Sequence, residues 1–152
     1  MAKNSTSRAT EPDQDQDQIT SQMVPRWTAN ESYRALLSGG VLIRGGPENY
    51  IYAMFDAMAP GTTFNHRWRM HATSNGSFYL VPGLPTKTVE MRGPWNGETV
   101  TLAAEGAGIA ATLLALADMA MRPRCALASE AYHGLLAFAQ QHPDGESICR
   151  LL

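Results

Sequence analysis

Charge is scarce in this sequence and nearly balanced. Asp, Glu, Lys and Arg make up 17% of the 152 residues, and the formal net charge is −2. So small an imbalance builds no strong field of either sign, which argues against a basic nucleic-acid clamp. It argues equally against a mimic of DNA, whose carboxylates must be dense enough to imitate phosphates along a duplex. Cysteine is limited to Cys125 and Cys149, and no secretory apolar segment stands near the start, so the expectation is a reducing cytoplasm with free, buried thiols. The longest nearly apolar run, Ile109 to Met121, is broken by Asp118 and falls short of the roughly 20 residues that span a bilayer. Catalytic signatures are missing too. There is no Gly-x-Ser-x-Gly elbow and no phosphate-binding loop, and Gly106-Ala107-Gly108 lacks the third glycine and downstream acid of a dinucleotide fingerprint.

What remains is an ordinary globular composition with 44% hydrophobic residues, enough for one core. Residues 1–22, with the alternation Asp13-Gln14-Asp15-Gln16-Asp17-Gln18, offer almost nothing apolar to offset the entropy of ordering, so they are expected to be a disordered tail. Residues 23–152 are expected to form a single domain. Trp27, Tyr33, Leu36 and Leu37 suit a short helix ended by Gly39-Gly40, and Val41 to Ile43 a brief strand. Ile51, Met54, Phe55 and Met58 recur at helical spacing between Pro47 and Pro60.

Strand periodicity follows. Between Phe64 and Ala72, Trp68, Met70 and Ala72 alternate with Arg67, Arg69 and His71. Ser74-Asn75-Gly76 supplies a turn tolerant of positive φ, and Ser77 to Val81 returns as the partner strand. A second hairpin is expected from Thr86 to Arg92 and Glu98 to Leu102 around Asn96-Gly97, with Val89, Met91, Val100 and Leu102 inward. Ala103 to Met121 reads as a buried helix, N-capped at Thr101 or the segment just before Ala103, with Glu105 complementing its dipole. Gly106 and Gly108 in its first turns imply that the sheet approaches the helix backbone closely. A further helix from Cys125 to Gln141 carries the stripe Leu127, Ala131, Leu135 and Phe138, and a last turn or two runs from Glu146 to Leu152. The fold class is therefore α+β, an antiparallel β-sheet of two hairpins with helices packed on one side.

Three of these segments, in order, resemble the ArdB/KlcA antirestriction proteins over about residues 50–152. Ser74-Asn75-Gly76 with Phe78-Tyr79-Leu80-Val81-Pro82 is similar to that family's Ser-Asn-Gly-Gly-Phe-Tyr-Met-Ala-Pro. Glu105-Gly106-Ala107-Gly108-Ile109, continuing through Ala111-Thr112-Leu113, resembles its acidic residue and Ala-Ala-Gly-Ile helix start. Tyr132, Leu135, Phe138-Ala139, Gln141-His142-Pro143 and Ile148 resemble its closing pattern. Ser77 replaces the second Gly of the turn, and Ala103 the Ser ahead of the helix.

The resemblance implies an inhibitor carried by a mobile element such as a plasmid. It would relieve host type I restriction-modification by protein contact, without enzymatic activity and without a cofactor. Two alternatives stay open: an inhibitor of another bacterial defence nuclease, such as a CRISPR effector, and a small cytoplasmic hydrolase using Cys125 or Cys149 with His133. His66, His71, His133 and His142 lack metal-ligand spacing, and His142 is expected to meet the helix-terminal carbonyls. The candidate partner-binding residues are Arg67, Arg69 and His71 on one strand face, Tyr79 beside them, and Trp95 at the second turn. That face is either a solvated surface or a contact for an acidic protein, with direct nucleic-acid binding the lesser alternative. Oligomeric state is not legible.

Overall fold

Both expected hairpins form, but they do not join. In the computed structural model, which describes residues 18–39, 46–62, 65–122 and 125–152, strands β1 (Ser21–Val24), β2 (Asn65–Thr73) and β3 (Phe78–Gly83) make one antiparallel sheet in that order. Strands β4 (Thr88–Arg92) and β5 (Thr99–Ala103) make a separate two-stranded sheet. The helices are α1 (Glu31–Gly39), α2 (Pro47–Met58), α3 (Ala104–Ala120), α4 (Ala126–Gln141) and α5 (Gly145–Arg150), with a 3₁₀ turn at Trp27–Ala29. The expected strand at Val41 to Ile43 lies outside the described residues, as do residues 1–17.

One boundary moves. Residues 21–24, of which composition assigned the first two to the tail, pair with β2 from Ser21↔Thr73 to Val24↔Met70. Backbone pairing to an existing edge needs few apolar side chains, so composition does not register it.

Helix α3 is the centre of the molecule, touching β3, the second hairpin and helices α2, α4 and α5. Every residue from Gly106 to Leu116 is buried, as expected of a helix apolar on all sides. Each fully buried Leu or Ile there contributes roughly 2 kcal/mol. Its N-cap is Ala103, which makes no side-chain cap bond, so the expected Thr101 cap does not form; Thr101 is still inside β5, paired with Glu90. The first turn relies on Glu105 for complementary charge.

Sheet β1-β2-β3 is enclosed around β3. Phe78 meets Tyr33 of α1 edge-on at 5.7 Å, and Trp68 meets Phe55 of α2 at 5.4 Å. On the opposite face Tyr79 stacks on Phe138 of α4 at 5.5 Å. Val89, Met91, Val100 and Leu102 form the inward face of the second hairpin, as their alternation predicts. In α4 the buried stripe is Ala128, Ala131, Leu135, Phe138 and Ala139. Leu127 is exposed, as is Leu37 of α1; each lies one position off its helix's buried face, where sequence spacing alone is least discriminating.

Candidate functional site

The Ser74-Asn75-Gly76 turn builds inward, tying helices α1 and α4 to the β2-β3 hairpin. Gly76 takes φ +93°, a region natural to glycine. The Thr73 hydroxyl donates to Asn75 Oδ1 at 2.5 Å and accepts from the Ser77 N–H at 2.9 Å, closing the turn. Asn75 Nδ2 donates to the Gly134 carbonyl at 2.8 Å and Ser77 Oγ to the Ala131 carbonyl at 2.6 Å, so two residues of the turn hold α4. Ser32 Oγ donates to the Gly76 carbonyl, and Asn30 reaches the Ser77 carbonyl at 3.3 Å while capping α1 through the Tyr33 N–H at 2.9 Å. These bonds give the motif a structural role.

Tyr79 leads to a second cluster, one that periodicity could not show. Its ring is fully buried, sandwiched between His71, stacked at 5.2 Å, and Phe138. The phenol donates to Glu105 Oε1 and accepts from Ser21 Oγ, both at 3.0 Å. Burial raises the Tyr79 pKa; the Ser21 hydrogen bond lowers it, and the Glu105 charge and hydrogen bond raise it further. His142 Nδ1 accepts from the Asp144 N–H at 3.0 Å, which places the proton of the neutral ring on Nε2, 3.3 Å from the same Glu105 oxygen. His142 therefore ties the α4–α5 corner to α3, where sequence had assigned it to helix-terminal carbonyls. Burial lowers the His71 pKa, partly opposed by Glu105 and reinforced by Arg69.

This arrangement corrects the expectation for one candidate contact residue and narrows another. Tyr79 cannot meet a partner, because α4 lays Phe138 over its ring. His71 is half-buried against it. Arg67 and Arg69 do project to solvent, lining a cleft of about 480 Å³ with Pro82, Gly83, Leu84 and Ala104. Trp95 stands apart on the β4-β5 turn, 54% exposed. Its loop is held by Asn96, which accepts from the Glu98 N–H at 3.0 Å and donates to the Arg150 carbonyl at 2.9 Å.

The glycines of α3 divide. A Cβ on Gly108 would stand 2.0 Å from the Leu80 carbonyl, which is the close sheet approach the sequence implies. At Gly106 the obstruction is instead the Asp144 carboxylate at 2.9 Å, from the corner ahead of α5.

The side chains named for hydrolysis are not brought together among the described residues. Among the described residues no hydrogen bond joins Cys125 or Cys149 to His133, and no group of three ligating side chains could hold a metal ion; the His66 side chain lies outside the description. Cys149 is exposed and Cys125 half-buried, against the expectation of buried thiols; Cys149 is turned about 100° around α5 from the buried Ile148. No described helix is long and apolar enough to cross a membrane.

Comparison with known proteins agrees with this architecture. The family described as "Antirestriction protein" matches residues 64–152. The uncharacterized protein YafX of Escherichia coli (strain K12) is 30% identical over 106 residues, 69% of this chain and 69% of its own. An antirestriction protein KlcA of Escherichia coli is 37% identical over 89 residues, 56% of this chain and 62% of its own. A solved chain from a study of KlcA and ArdB superposes with a TM-score of 0.69 at 28% identity, covering 88% of this chain and 94% of that one. That study describes "a novel fold and antirestriction activity against Type I DNA restriction systems in vivo but not in vitro".

Proposed function

Because this chain belongs to the antirestriction protein family, we propose that it relieves type I restriction of incoming DNA inside a bacterial cell. We place its action on a protein contact and not on mimicry of DNA. The observation that carries the reading is the family match over residues 64–152, which contains the Asn75-Gly76 turn, the Tyr79 strand and the Gly108 helix start. Support for a non-mimetic mechanism comes from the net charge of −2, far too small to imitate a duplex. The relatives' activity in vivo but not in vitro favours a contact that needs a cellular component absent from a purified nuclease reaction.

The test is plating. Unmodified phage on a host with a type I system should plate more efficiently when this chain is expressed, while modified phage plate unchanged. Unchanged plating of unmodified phage on every type I restricting strain would sink the proposal. A pull-down from the same cells separates direct from indirect action: recovery of the restriction enzyme itself supports direct contact, and recovery of another protein supports an intermediary.

A further inference from the structure

We propose that the cleft between β2, β3 and the start of α3 binds an extended acidic segment of a partner protein, with carboxylates on Arg67 and Arg69. This deepens the reading above and rests on it, since it specifies the chemistry of the protein contact.

Several observations converge. Arg67 and Arg69 lie two residues apart on β2, both are exposed, and both line the same cleft. Neither guanidinium forms an ion pair with an acidic side chain among the described residues, where Arg150 pairs with Glu98 and His142 hydrogen-bonds Glu105. The cleft's volume of about 480 Å³ is that of a site accommodating a few side chains. Its remaining walls are Pro82, Gly83, Leu84 and Ala104, a mixed lining that suits acidic residues interspersed with apolar ones. Ala104 is also the first residue of α3, whose cap offers no side-chain acceptor, so the positive end of that helix adds to the field. Glu105, in the first turn of α3, is engaged by Tyr79 and His142.

Spacing decides the form of the ligand. In an extended peptide, side chains two residues apart point the same way about 7 Å apart; Arg67 and Arg69 both line the cleft, with Arg67 inside the irregular stretch of the β2-β3 ladder between Asn65 and Arg69. An acidic residue at alternate positions therefore meets both guanidiniums at once, and guanidinium-carboxylate pairing is bidentate. Nucleic acid fits less well. A backbone-tracking site needs a run of cations with stacking aromatics; here there are two cations, His71 is held toward its neutral form, and Tyr79 is buried.

The probe is a short fluorescein-labelled peptide with two glutamates separated by one residue, titrated into the full chain and followed by anisotropy. Binding should weaken with added salt, and the double variant Arg67→Ala, Arg69→Ala should lose roughly tenfold or more in affinity. Arg67→Lys, Arg69→Lys should recover part of it, and the glutamine version of the peptide should not bind. Both arginines are exposed, so melting temperature should stay unchanged in each variant. Absence of peptide binding to the wild-type chain, or equal binding by the alanine variant, overturns the proposal.

A single-stranded oligonucleotide that binds more tightly and loses affinity in the same variant would overturn it in favour of nucleic acid. Binding that appears only with Asp13→Asn, Asp15→Asn and Asp17→Asn together would assign the cleft to the chain's own alternating acids and overturn the partner reading. Plating keeps the two proposals apart. A variant without peptide binding that still relieves restriction overturns the cleft alone. A wild-type chain that binds peptide yet relieves no restriction overturns the antirestriction function alone.

Discussion

Gly108 of α3 lies against the backbone of Leu80 on β3, so closely that a methyl group there would stand 2.0 Å from the Leu80 carbonyl oxygen. One helical turn later, Thr112 Oγ1 accepts from the Leu80 N–H at 3.1 Å. The pair covers the outer edge of β3, the last strand of its sheet among the described residues. An open edge is a template for unwanted pairing, and here a helix closes it with one small residue and one hydroxyl. The small-residue start of α3 is thereby given a physical purpose.

Gly108→Ala should destabilise the fold by about 1–3 kcal/mol from overpacking against rigid backbone, more than the helix-propensity gain of up to about 1 kcal/mol returns. Gly106→Ala should cost less, because the Asp144 carboxylate it meets sits on a side chain that can rotate. Urea midpoints of the two variants check this; a Gly108→Ala chain as stable as wild type would contradict the edge-cover account.

Thr112 is fully buried, and Thr112→Val would leave the Leu80 N–H without its acceptor at a cost of about 1–3 kcal/mol. Thr112→Ser keeps the oxygen and should recover most of that loss. Amide exchange reads the same bond locally, with faster exchange at Leu80 expected in the valine variant and near-native protection in the serine variant.

Stability should fall on both sides of neutrality, for opposite reasons. His71 has a pKa lowered by burial, so the unfolded chain binds the proton more readily. Its contribution is complete above the ordinary histidine value of about 6.5 and is lost as pH falls below it. His71→Gln should flatten that part of the acid slope in urea titrations between about pH 7 and 5. All five tyrosines have raised pKa values, burial being the first cause in each. The unfolded chain therefore loses phenolic protons first, and stability declines as pH rises past about 10. Tyrosinate absorbance should appear together with loss of near-ultraviolet circular dichroism; early ionisation in a still-folded chain would refute the burial account.

Trp95→Ala should leave the unfolding midpoint nearly unchanged, because the ring is 54% exposed and the loop is held through Asn96. If the ring contacts the target, the same variant should reduce relief of restriction in plating. Full relief by the variant would remove Trp95 from the contact surface.

Much of the fold was legible in the sequence. Helical spacing placed α2 and α3, alternation placed both hairpins with their inward faces, and Asn75-Gly76 marked the turn. These succeed because local periodicity and turn chemistry are written within a few neighbouring residues. The candidate site was legible only at its arginines. Alternation put His71 and Tyr79 on the same outward face as Arg67 and Arg69, and nothing local indicated that α4, more than fifty residues later, would lay Phe138 over Tyr79.

Residue order alone settles most of the strands and helices, β1 excepted, where both hairpins turn, and that α3 must be buried, since an all-apolar helix has no face to offer water. Other features depend on the packed chain. One is that β3 is closed at its edge by Gly108 and Thr112. Another is that Glu105 holds Tyr79 and His142 together, and a third is that Phe138 covers Tyr79 while Arg67 and Arg69 stay exposed. Each joins residues 26 or more positions apart, and which of many polar or aromatic side chains meet at such separations is decided by how the elements pack against one another.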